Sequence, residues 1–300
     1  MRGKGYSAAA MRQSLYRYSG ILFAIATAFG LGAQTTLAKL FYADGGSALG
    51  VMLARFVAST LVFGTVLLLR GRGFTVAPGL RLPLAAIGFI WSGAMIGYLK
   101  SVETISVSLG VMLLYLYPLL VLLYSALRGL LRPTPGLIAL FVTAFAGLCL
   151  ALADGSLEAQ TGGVILAFLA SCGAAFTFLA GARVAPAMSP LLMTFWINLA
   201  GLLLLLPLLP GEISLPSTVQ AIIALALATL FYLVAILSQF QALARLPAAR
   251  AAFLLNLEPV ISILLASLVL GEVLTLLQAC GITLVIAAVI LSLRFRPAQA

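Results

Sequence analysis

The sequence of 300 residues contains no histidine and only three cysteines. Without histidine, the chain cannot build a Ser-His-Asp triad, an imidazole acid–base catalyst or a histidine-bearing zinc site. Cys149, Cys172 and Cys280 lie in apolar runs and form no CxxC pair, so we expect them to act as small buried hydrophobic residues. A Walker A phosphate loop is absent as well, so ATP is not expected to be the direct driver of any activity. The sequence therefore predicts no catalytic residue, no metal site and no cofactor.

Charged residues are also scarce, at 8% of the chain against 63% hydrophobic residues, and the mean hydropathy is +1.21. A soluble domain carries roughly 25% charged residues, because its surface faces water. The apolar runs at 121–123 and 202–206 do not alternate as the strands of a membrane β-barrel do. Because one membrane span needs roughly 20 residues, we expect an all-α polytopic membrane protein of about ten transmembrane helices, without a separate soluble domain.

Turn-forming residues, such as Asp44-Gly45-Gly46 and Pro210-Gly211, separate the apolar segments. The first segment is longer than the core of a signal peptide and has a counterpart in the second half of the chain, so we expect it to be retained as a helix. The predicted transmembrane helices span residues 18–38, 48–69, 82–100, 105–126, 135–153, 161–181, 190–209, 218–241, 249–269 and 273–293.

Charge is distributed unequally between the loops that join these helices, within a net charge of +10. One side holds fourteen basic residues and no acidic residue, whereas the other holds Lys39 and Lys100 with six acidic residues. By the positive-inside rule, the basic N-terminal segment 1–17 and the tail 294–300 are both cytoplasmic. Basic loops that set orientation explain the positive charge without a nucleic-acid partner. The fourteen basic residues are Arg2, Lys4, Arg12, Arg17, Arg70, Arg72, Arg81, Arg128, Arg132, Arg183, Arg245, Arg250, Arg294 and Arg296, and the six acidic residues are Asp44, Glu103, Asp154, Glu158, Glu212 and Glu272.

The chain also repeats itself. When it is shifted by 141 residues, Gly32 falls on Gly173, and Pro118 falls on Pro259. Five predicted helices lie in each half, at 18–153 and 161–293. Since five is an odd number, the second half enters the membrane upside down relative to the first. Such an inverted repeat is the architecture expected of alternating access.

The end of the second half carries a distinctive run from Gln241 to Glu272, with Asn256-Leu257-Glu258-Pro259 near its centre. This run resembles the signature ending of the EamA repeat, which belongs to the drug/metabolite transporter superfamily. In the first half, Leu130-Leu131 stands where the family often has Gly-Glu. The resemblance covers essentially the whole chain and implies ten helices in a five-plus-five inverted repeat.

The resemblance implies a function as well as a fold. Bacterial members of this family export amino acids, purines, drugs and other small metabolites, so the chain is expected to be a secondary transporter of the bacterial inner membrane. Its general make-up is most similar to that of the exporters of aromatic and neutral amino acids. The implied partners are a small-molecule substrate and the lipid bilayer. Protons are a candidate coupling ion, facilitated diffusion is the alternative, and a monomer is expected.

Candidates for the transport site are side chains with polar groups inside predicted helices, where such groups are costly and usually face a cavity or another helix. Glu258 lies roughly 14 Å into its helix. It is a proton or cation site, a gate group bound to the freed backbone at Pro259, or a residue that packs the kink and hydrogen-bonds to a neighbouring helix. Arg55 attracts a substrate carboxylate, pairs with Glu258, or extends its guanidinium to the outer surface. Further aromatic and amide side chains at helical spacing predict a pocket for neutral or amphipathic molecules. The predicted substrate cavity consists of Gln34, Arg55, Trp91, Tyr98, Tyr117, Trp196, Asn198, Tyr232, Gln239, Asn256 and Glu258.

Two prolines and two stripes of small residues carry structural predictions. Pro118 and Pro259 interrupt helices deep in the membrane, and they are either paired hinges of the transport motion or static kinks. Stripes at i, i+4 spacing on the predicted fifth and tenth helices predict packing faces. These stripes consist of Ala139, Thr143, Gly147 and Ala151, and of Thr275, Ala279, Thr283 and Ala287.

Three functions are compatible with such a chain. The first is a secondary transporter that exports a small metabolite by rocking one half against the other. The second is an intramembrane enzyme that modifies lipids, which would normally need a histidine or a pair of carboxylates near the membrane surface. The third is a membrane scaffold without transport activity, and the inverted repeat argues against it. The predicted function is therefore the exporter, with the lipid-modifying enzyme as the alternative.

Overall fold

The computed structural model describes residues 8–153, 160–208, 213–214 and 218–294. Residues 1–7 of the predicted N-terminal segment and residues 295–300 of the predicted tail lie outside the described residues, as do Asp154, Glu158 and Glu212. The described part contains twelve α-helices, two short 3₁₀ turns and no strand, which confirms the all-α prediction.

Helices α1 to α12 follow one another along the described chain. Among the described residues, nine helical segments are long and apolar enough to cross a membrane, counting α4–α5 and α10–α11 as one segment each, and α8 is a shorter apolar helix. The chain is therefore a multi-pass membrane protein, as predicted. The bounds are α1 Ala8–Ala43, α2 Ala48–Leu69, α3 Pro78–Ser101, α4 Val107–Leu114, α5 Tyr117–Leu127, α6 Pro135–Leu152, α7 Thr161–Val184, α8 Pro190–Leu205, α9 Val219–Leu243, α10 Ala248–Leu254, α11 Leu257–Leu270 and α12 Leu276–Arg294.

Local sequence signals explain where several helices begin and end. The side chains of Ser47, Ser106 and Thr134 accept hydrogen bonds from backbone N–H groups in the first turns of α2, α4 and α6. Each such cap stabilises a helix by about 1 kcal/mol. Proline occupies the first turn of α3, α6 and α8, where its missing N–H costs nothing. Gly271 ends α11 with a φ of 70°, a left-handed conformation that favours glycine.

Helices from the two halves of the chain interleave. α1 lies along α9, α7 lies along α3, and α2 packs against α8. Glycine or alanine at the crossings lets the helices approach closely. A Cβ atom on Gly30 of α1 would lie 2.9 Å from the Cβ atom of Ala235, and one on Gly173 of α7 would lie 2.7 Å from the Cβ atom of Ala94. The two halves therefore share one core instead of forming two separate bundles.

α6 and α12 pack on each other through two glycines. A Cβ atom on Gly281 would lie 2.4 Å from the carbonyl oxygen of Gly147, so the two backbones touch. Of the stripe predicted on α6, Gly147 and Ala151 are buried, Thr143 is half-buried and Ala139 is exposed, so only its second half packs inward. The stripe predicted on α12 was wrong, because Thr275, Ala279, Thr283 and Ala287 are all exposed. The face of α12 that packs inward carries Gly281, Ile282, Val285, Ala288 and Val289.

The helices predicted at 105–126 and 249–269 are each broken near the middle. α4 and α5 form the first broken helix, and α10 and α11 form the second. Pro118 and Pro259 lie in the first turns of α5 and α11, directly after the two breaks, and each lacks the N–H that would bond across the break in a continuous helix. At the second break the backbone tightens, since the Glu258 N–H donates to the Leu255 carbonyl three residues earlier at 2.9 Å. The breaks therefore place Tyr117 and Glu258 beside interrupted backbone.

Candidate substrate cavity

A cavity of about 90 Å³, which we call the central cavity, lies between the two halves of the chain and adjoins both helix breaks. The first half contributes α1, α2, α3 and α4–α5, and the second half contributes α7, α9 and α10–α11. Its walls are mostly apolar and aromatic, with a small number of polar groups. The lining residues are Leu31, Gln34, Arg55, Phe56, Trp91, Met95, Leu114, Tyr115, Tyr117, Ala174, Phe178, Tyr232, Gln239, Leu255 and Glu258.

Arg55 of α2 brings a positive charge to the central cavity. Its Nη1 atom donates a hydrogen bond to the Gln34 Oε1 atom at 3.1 Å. Its guanidinium carbon lies 5.0 Å from the centre of the Tyr232 ring, within the range of a cation–π interaction. Its Nε atom is buried and has no hydrogen-bond partner. Arg55 therefore turns into the cavity instead of reaching to the surface, and it keeps one N–H for a bound acceptor.

Glu258, in the first turn of α11, brings a negative charge to the same cavity. Its carboxyl group lies beside the Tyr115 hydroxyl and close enough to Arg55 for electrostatic attraction. The two ion pairs within the described ranges join other residues, Lys39 with Glu272 and Lys100 with Glu103. Within those ranges, no three potential metal-ligating side chains cluster together. Arg55 and Glu258 thus face one space without a direct ion pair, so each can contact a third charged group.

The packing of α1 on α11 fixes the backbone at Glu258. A Cβ atom on Gly32 would lie 2.8 Å from the Glu258 carbonyl oxygen, so only glycine fits at this contact. One turn further along α1, the Thr36 hydroxyl hydrogen-bonds with the Ser262 carbonyl oxygen at 3.1 Å. These contacts hold Glu258 at the depth of Gln34, which lies between Gly32 and Thr36 on the same helix.

α9 supplies an oriented tyrosine and an amide. The Tyr232 hydroxyl donates to the Asn198 Oδ1 atom at 2.9 Å, and the Asn198 Nδ2 atom donates to the Thr194 carbonyl oxygen at 2.8 Å. This chain of bonds holds the Tyr232 ring against Arg55. Gln239 is only 2% exposed, and its Nε2 atom is buried without a partner. An unsatisfied buried donor costs free energy unless a ligand or water accepts from it, so Gln239 offers a second donor to an occupant of the cavity.

The structure brings seven of the eleven predicted cavity residues together and places four elsewhere. Asn198 lies behind Tyr232, and Asn256 donates from its Nδ2 atom to the Phe253 carbonyl oxygen. Tyr98 packs beside Gly110 of α4, and Trp196 lines a different cavity on the surface of the bundle. The seven that line the central cavity are Gln34, Arg55, Trp91, Tyr117, Tyr232, Gln239 and Glu258.

Some lining residues were not among those predicted. Tyr115 lies at the first helix break and lines the cavity. The 141-residue shift places Tyr115 on Asn256, which was a predicted cavity residue, so the repeat could have identified Tyr115. Phe56 and Phe178 also line the cavity, and the Phe178 ring lies 5.1 Å from the Tyr117 ring. An aromatic residue in an apolar helix is equally typical of any protein core, so the sequence carried no signal for these two.

The two halves also meet at both ends of the bundle. At one end, Lys39 of α1 pairs with Glu272, which follows α11, at 2.8 Å. At the other end, Arg245 lies 5.1 Å from the Tyr16 ring and 4.9 Å from the Phe23 ring of α1. An exposed ion pair contributes roughly 1 kcal/mol or less. Contacts of this strength hold the halves together but can break when the halves move.

Comparison with known proteins gives both a family and a fold. The chain matches the EamA-like transporter family twice, over residues 18–153 and 161–294. No curated protein matches it, whereas 29 chains of solved structures do. One of these, described only as the crystal structure of a protein, is 19% identical and has a TM-score of 0.77. That match covers 92% of this chain and 96% of the other, and at this identity it shows a shared fold alone.

Proposed function

Since this chain belongs to the EamA-like transporter family, as its sequence indicated, we propose that it is a secondary transporter that exports small metabolites through the central cavity. The observation that carries the proposal is that residues from both halves of the chain line the cavity. Both halves of the chain supply charged or polar groups to one space inside an apolar bundle, Arg55 from the first half and Glu258 from the second. A rocking motion of one half against the other would open this space to each side in turn.

The proposed architecture is ten transmembrane spans in a five-plus-five inverted repeat. α8 has 16 residues, about 24 Å at 1.5 Å per residue, and the 3₁₀ turn Leu206–Leu208 adds about 6 Å. The sum matches the hydrocarbon thickness of roughly 30 Å, so α8 is long enough to be a span. The two helix breaks are equivalent under the 141-residue shift. So are Ala94 and Ala235, which pack against α7 and α1. These equivalences support the repeat.

The charges of the central cavity favour a zwitterionic substrate. A substrate carboxylate can accept from the Arg55 guanidinium and from the Gln239 amide, and a substrate ammonium can meet the Glu258 carboxylate. The ring of Trp91 and its aromatic neighbours suit a neutral or aromatic side chain. The volume of about 90 Å³ is below the roughly 300–1,000 Å³ of pockets for drug-sized ligands. We therefore favour an amino acid over a drug as the substrate.

The proposed location is the bacterial inner membrane, with both termini in the cytoplasm and a single chain as the working unit. The support for this orientation is the arginine-rich end of the bundle, where Arg70, Arg72 and Arg81 follow α2 without an acidic residue between them. For coupling, we propose proton antiport with Glu258 as the proton carrier, and facilitated diffusion is the competing mode. Glu258 is the one acidic residue that lines the central cavity among the described residues.

Flux in proteoliposomes tests the proposal. Purified protein is reconstituted, and efflux of labelled amino acids with aromatic, neutral and charged side chains is compared with efflux of lipophilic cations. We expect efflux of neutral or aromatic amino acids, with a strong loss in Arg55→Gln and partial recovery in Arg55→Lys, which keeps the charge.

Arg72→Gln is the matched control, because Arg72 is exposed and outside the central cavity. It should transport like the unmodified protein. Efflux of lipophilic cations but of no amino acid would overturn the substrate class. The absence of flux for the whole panel, in protein that remains folded by thermal unfolding, would overturn the transporter proposal.

A further inference from the structure

A second and larger cavity, of about 740 Å³, opens on the side of the bundle between α3, α8 and residues 74–76, which precede α3. We call it the lateral groove. Phe89 of α3 and Leu203 of α8 form part of its wall and are about half exposed. Because α3 and α8 are apolar helices of a membrane protein, such exposed side chains face the acyl chains of lipids. The lateral groove therefore opens towards the bilayer and is separate from the central cavity.

A positively charged side chain lies at one end of the lateral groove. Arg81 is the one charged residue among those described as lining it. Its Nε atom donates to the Val76 carbonyl oxygen at 3.0 Å, which fixes the guanidinium while the side chain stays exposed. Arg70 and Arg72 lie nearby in sequence, and the segment 70–81 contains no acidic residue. This end of the groove is therefore suited to a negatively charged group.

The length of the lateral groove matches one leaflet of the bilayer. Along α3, the lining extends from Arg81 to Phe89, about 12 Å at the helical rise, and along α8 from Trp196 to Leu203, about 11 Å. The hydrocarbon of one leaflet is about 15 Å thick. The Trp196 indole N–H donates to the Phe74 carbonyl oxygen at 3.0 Å, so its ring presents an apolar surface to the groove. The dimensions and lining therefore fit one acyl chain.

We propose that the lateral groove binds an anionic phospholipid, with one acyl chain lying along α3 and α8 and the phosphate at Arg81. Basic pockets between transmembrane helices are a recurring site for anionic lipid headgroups. A zwitterionic lipid would also bring a positive headgroup towards the same guanidinium, so it binds less well. Because α3 and α8 come from different halves of the chain, the bound lipid contacts both halves at once.

Tryptophan fluorescence tests this proposal, since the chain contains only Trp91 and Trp196. In Trp91→Phe, Trp196 is the only fluorophore of its kind. The full chain is reconstituted in phosphatidylcholine vesicles in which a small fixed fraction of lipid carries brominated acyl chains, on phosphatidylglycerol or on phosphatidylcholine. Bromine quenches tryptophan on contact. We expect stronger quenching by brominated phosphatidylglycerol, and a preference reduced about five-fold in Arg81→Gln, since one arginine near an anionic surface contributes about 1 kcal/mol.

Three controls locate the effect. Arg81→Lys keeps the charge and should keep the preference for phosphatidylglycerol. Arg72→Gln lies outside the groove and should change nothing. Trp196→Phe should show no preference, because its remaining tryptophan, Trp91, lines the central cavity.

Equal quenching by the two lipids would overturn the proposal, and so would a preference that survives in Arg81→Gln. Quenching by neither lipid would mean that another occupant, such as a second copy of the chain, covers the groove. Relief of quenching by an exported amino acid would assign the groove to substrate.

Discussion

At the scale of single residues, the central cavity depends on two opposite charges that are held apart. A charge inside an apolar bundle is costly unless nearby groups stabilise it. Arg55 is stabilised by the Gln34 amide and the Tyr232 ring, and Glu258 by the Tyr115 hydroxyl. Neither residue forms a direct ion pair within the described ranges, so a substrate or a proton can compete with these partners. We therefore expect the two charged residues to control binding and coupling.

Glu258→Gln tests the proposed role in coupling, because it removes the titratable group and keeps the shape. If Glu258 carries the proton, flux through this variant loses its dependence on pH while the protein stays folded. The measurement is flux in proteoliposomes across a series of pH values, with thermal unfolding alongside. Glu272→Gln is the control, since Glu272 is exposed and pairs with Lys39 outside the cavity. A full pH response in Glu258→Gln would assign Glu258 to packing at the kink.

Gly32→Ala tests the contact that positions Glu258. The added Cβ atom would lie 2.8 Å from the Glu258 carbonyl oxygen, so α11 must move away from α1. Such overpacking costs typically about 1–3 kcal/mol, and we expect the midpoint of thermal unfolding to fall. Gly162→Ala should have little effect, because a Cβ atom on Gly162 would point into open space. Equal stability of the two variants would show that α1 and α11 are not held together here.

Polar and aromatic residues in the apolar helices guided the prediction of the central cavity about equally well, since four of the six polar residues and three of the five aromatic residues line it. Gln34, Gln239 and Glu258 could be predicted because burial without a partner is expensive, so such groups collect around a shared space. Trp196 satisfies its N–H with the Phe74 carbonyl oxygen and lines the lateral groove. The sequence contains no signal that the segment before α3 folds back to provide that acceptor.

At the scale of helices, the thickness of the bilayer explains why the positions of most helices could be predicted from the sequence. Apolar runs must be about as long as the membrane is thick, so most predicted helices lie close to the observed ones. α1 is longer than predicted, at Ala8–Ala43, because helix can continue beyond the membrane through residues that are not apolar. The packing face of α12 was not predictable from small residues alone. The inward face of α12 is set by the close contact of Gly281 with Gly147 of α6. The sequence of α12 alone does not indicate this contact.

The two helix breaks lead to a prediction about motion. If Pro118 and Pro259 are paired hinges, Pro118→Ala and Pro259→Ala each slow flux while stability stays equal or rises. Alanine supplies the N–H that proline lacks, so α4 and α5, or α10 and α11, can join into a continuous helix with one more hydrogen bond. The measurements are single-variant flux rates in proteoliposomes and midpoints of thermal unfolding.

Pro190→Ala is the matched control for the hinge prediction. Pro190 opens α8, where proline interrupts no helical bond, so its replacement should leave flux unchanged. Normal flux in both Pro118→Ala and Pro259→Ala would make the breaks static kinks.

At the scale of the whole molecule, the distribution of basic residues predicts the orientation. Fusing a reporter that is active only in the cytoplasm to the C-terminus should give an active fusion, because the basic segments lie on the side of both termini. Moving the same reporter into the loop after α1, beside Asp44, should abolish its activity. Activity of a reporter that works only outside the cell, when fused to the C-terminus, would reverse the predicted orientation.

The central claim is that one cavity between the halves opens alternately to each side of the membrane. Ala174 lines that cavity and is 2% exposed, so Ala174→Cys, made after the native cysteines are replaced, provides a probe. A thiol reagent that cannot cross the membrane is added to one side or the other of oriented vesicles, with and without substrate. The account predicts labelling from both sides, and substrate should change the two rates. Labelling from one side only, under every condition, would contradict it.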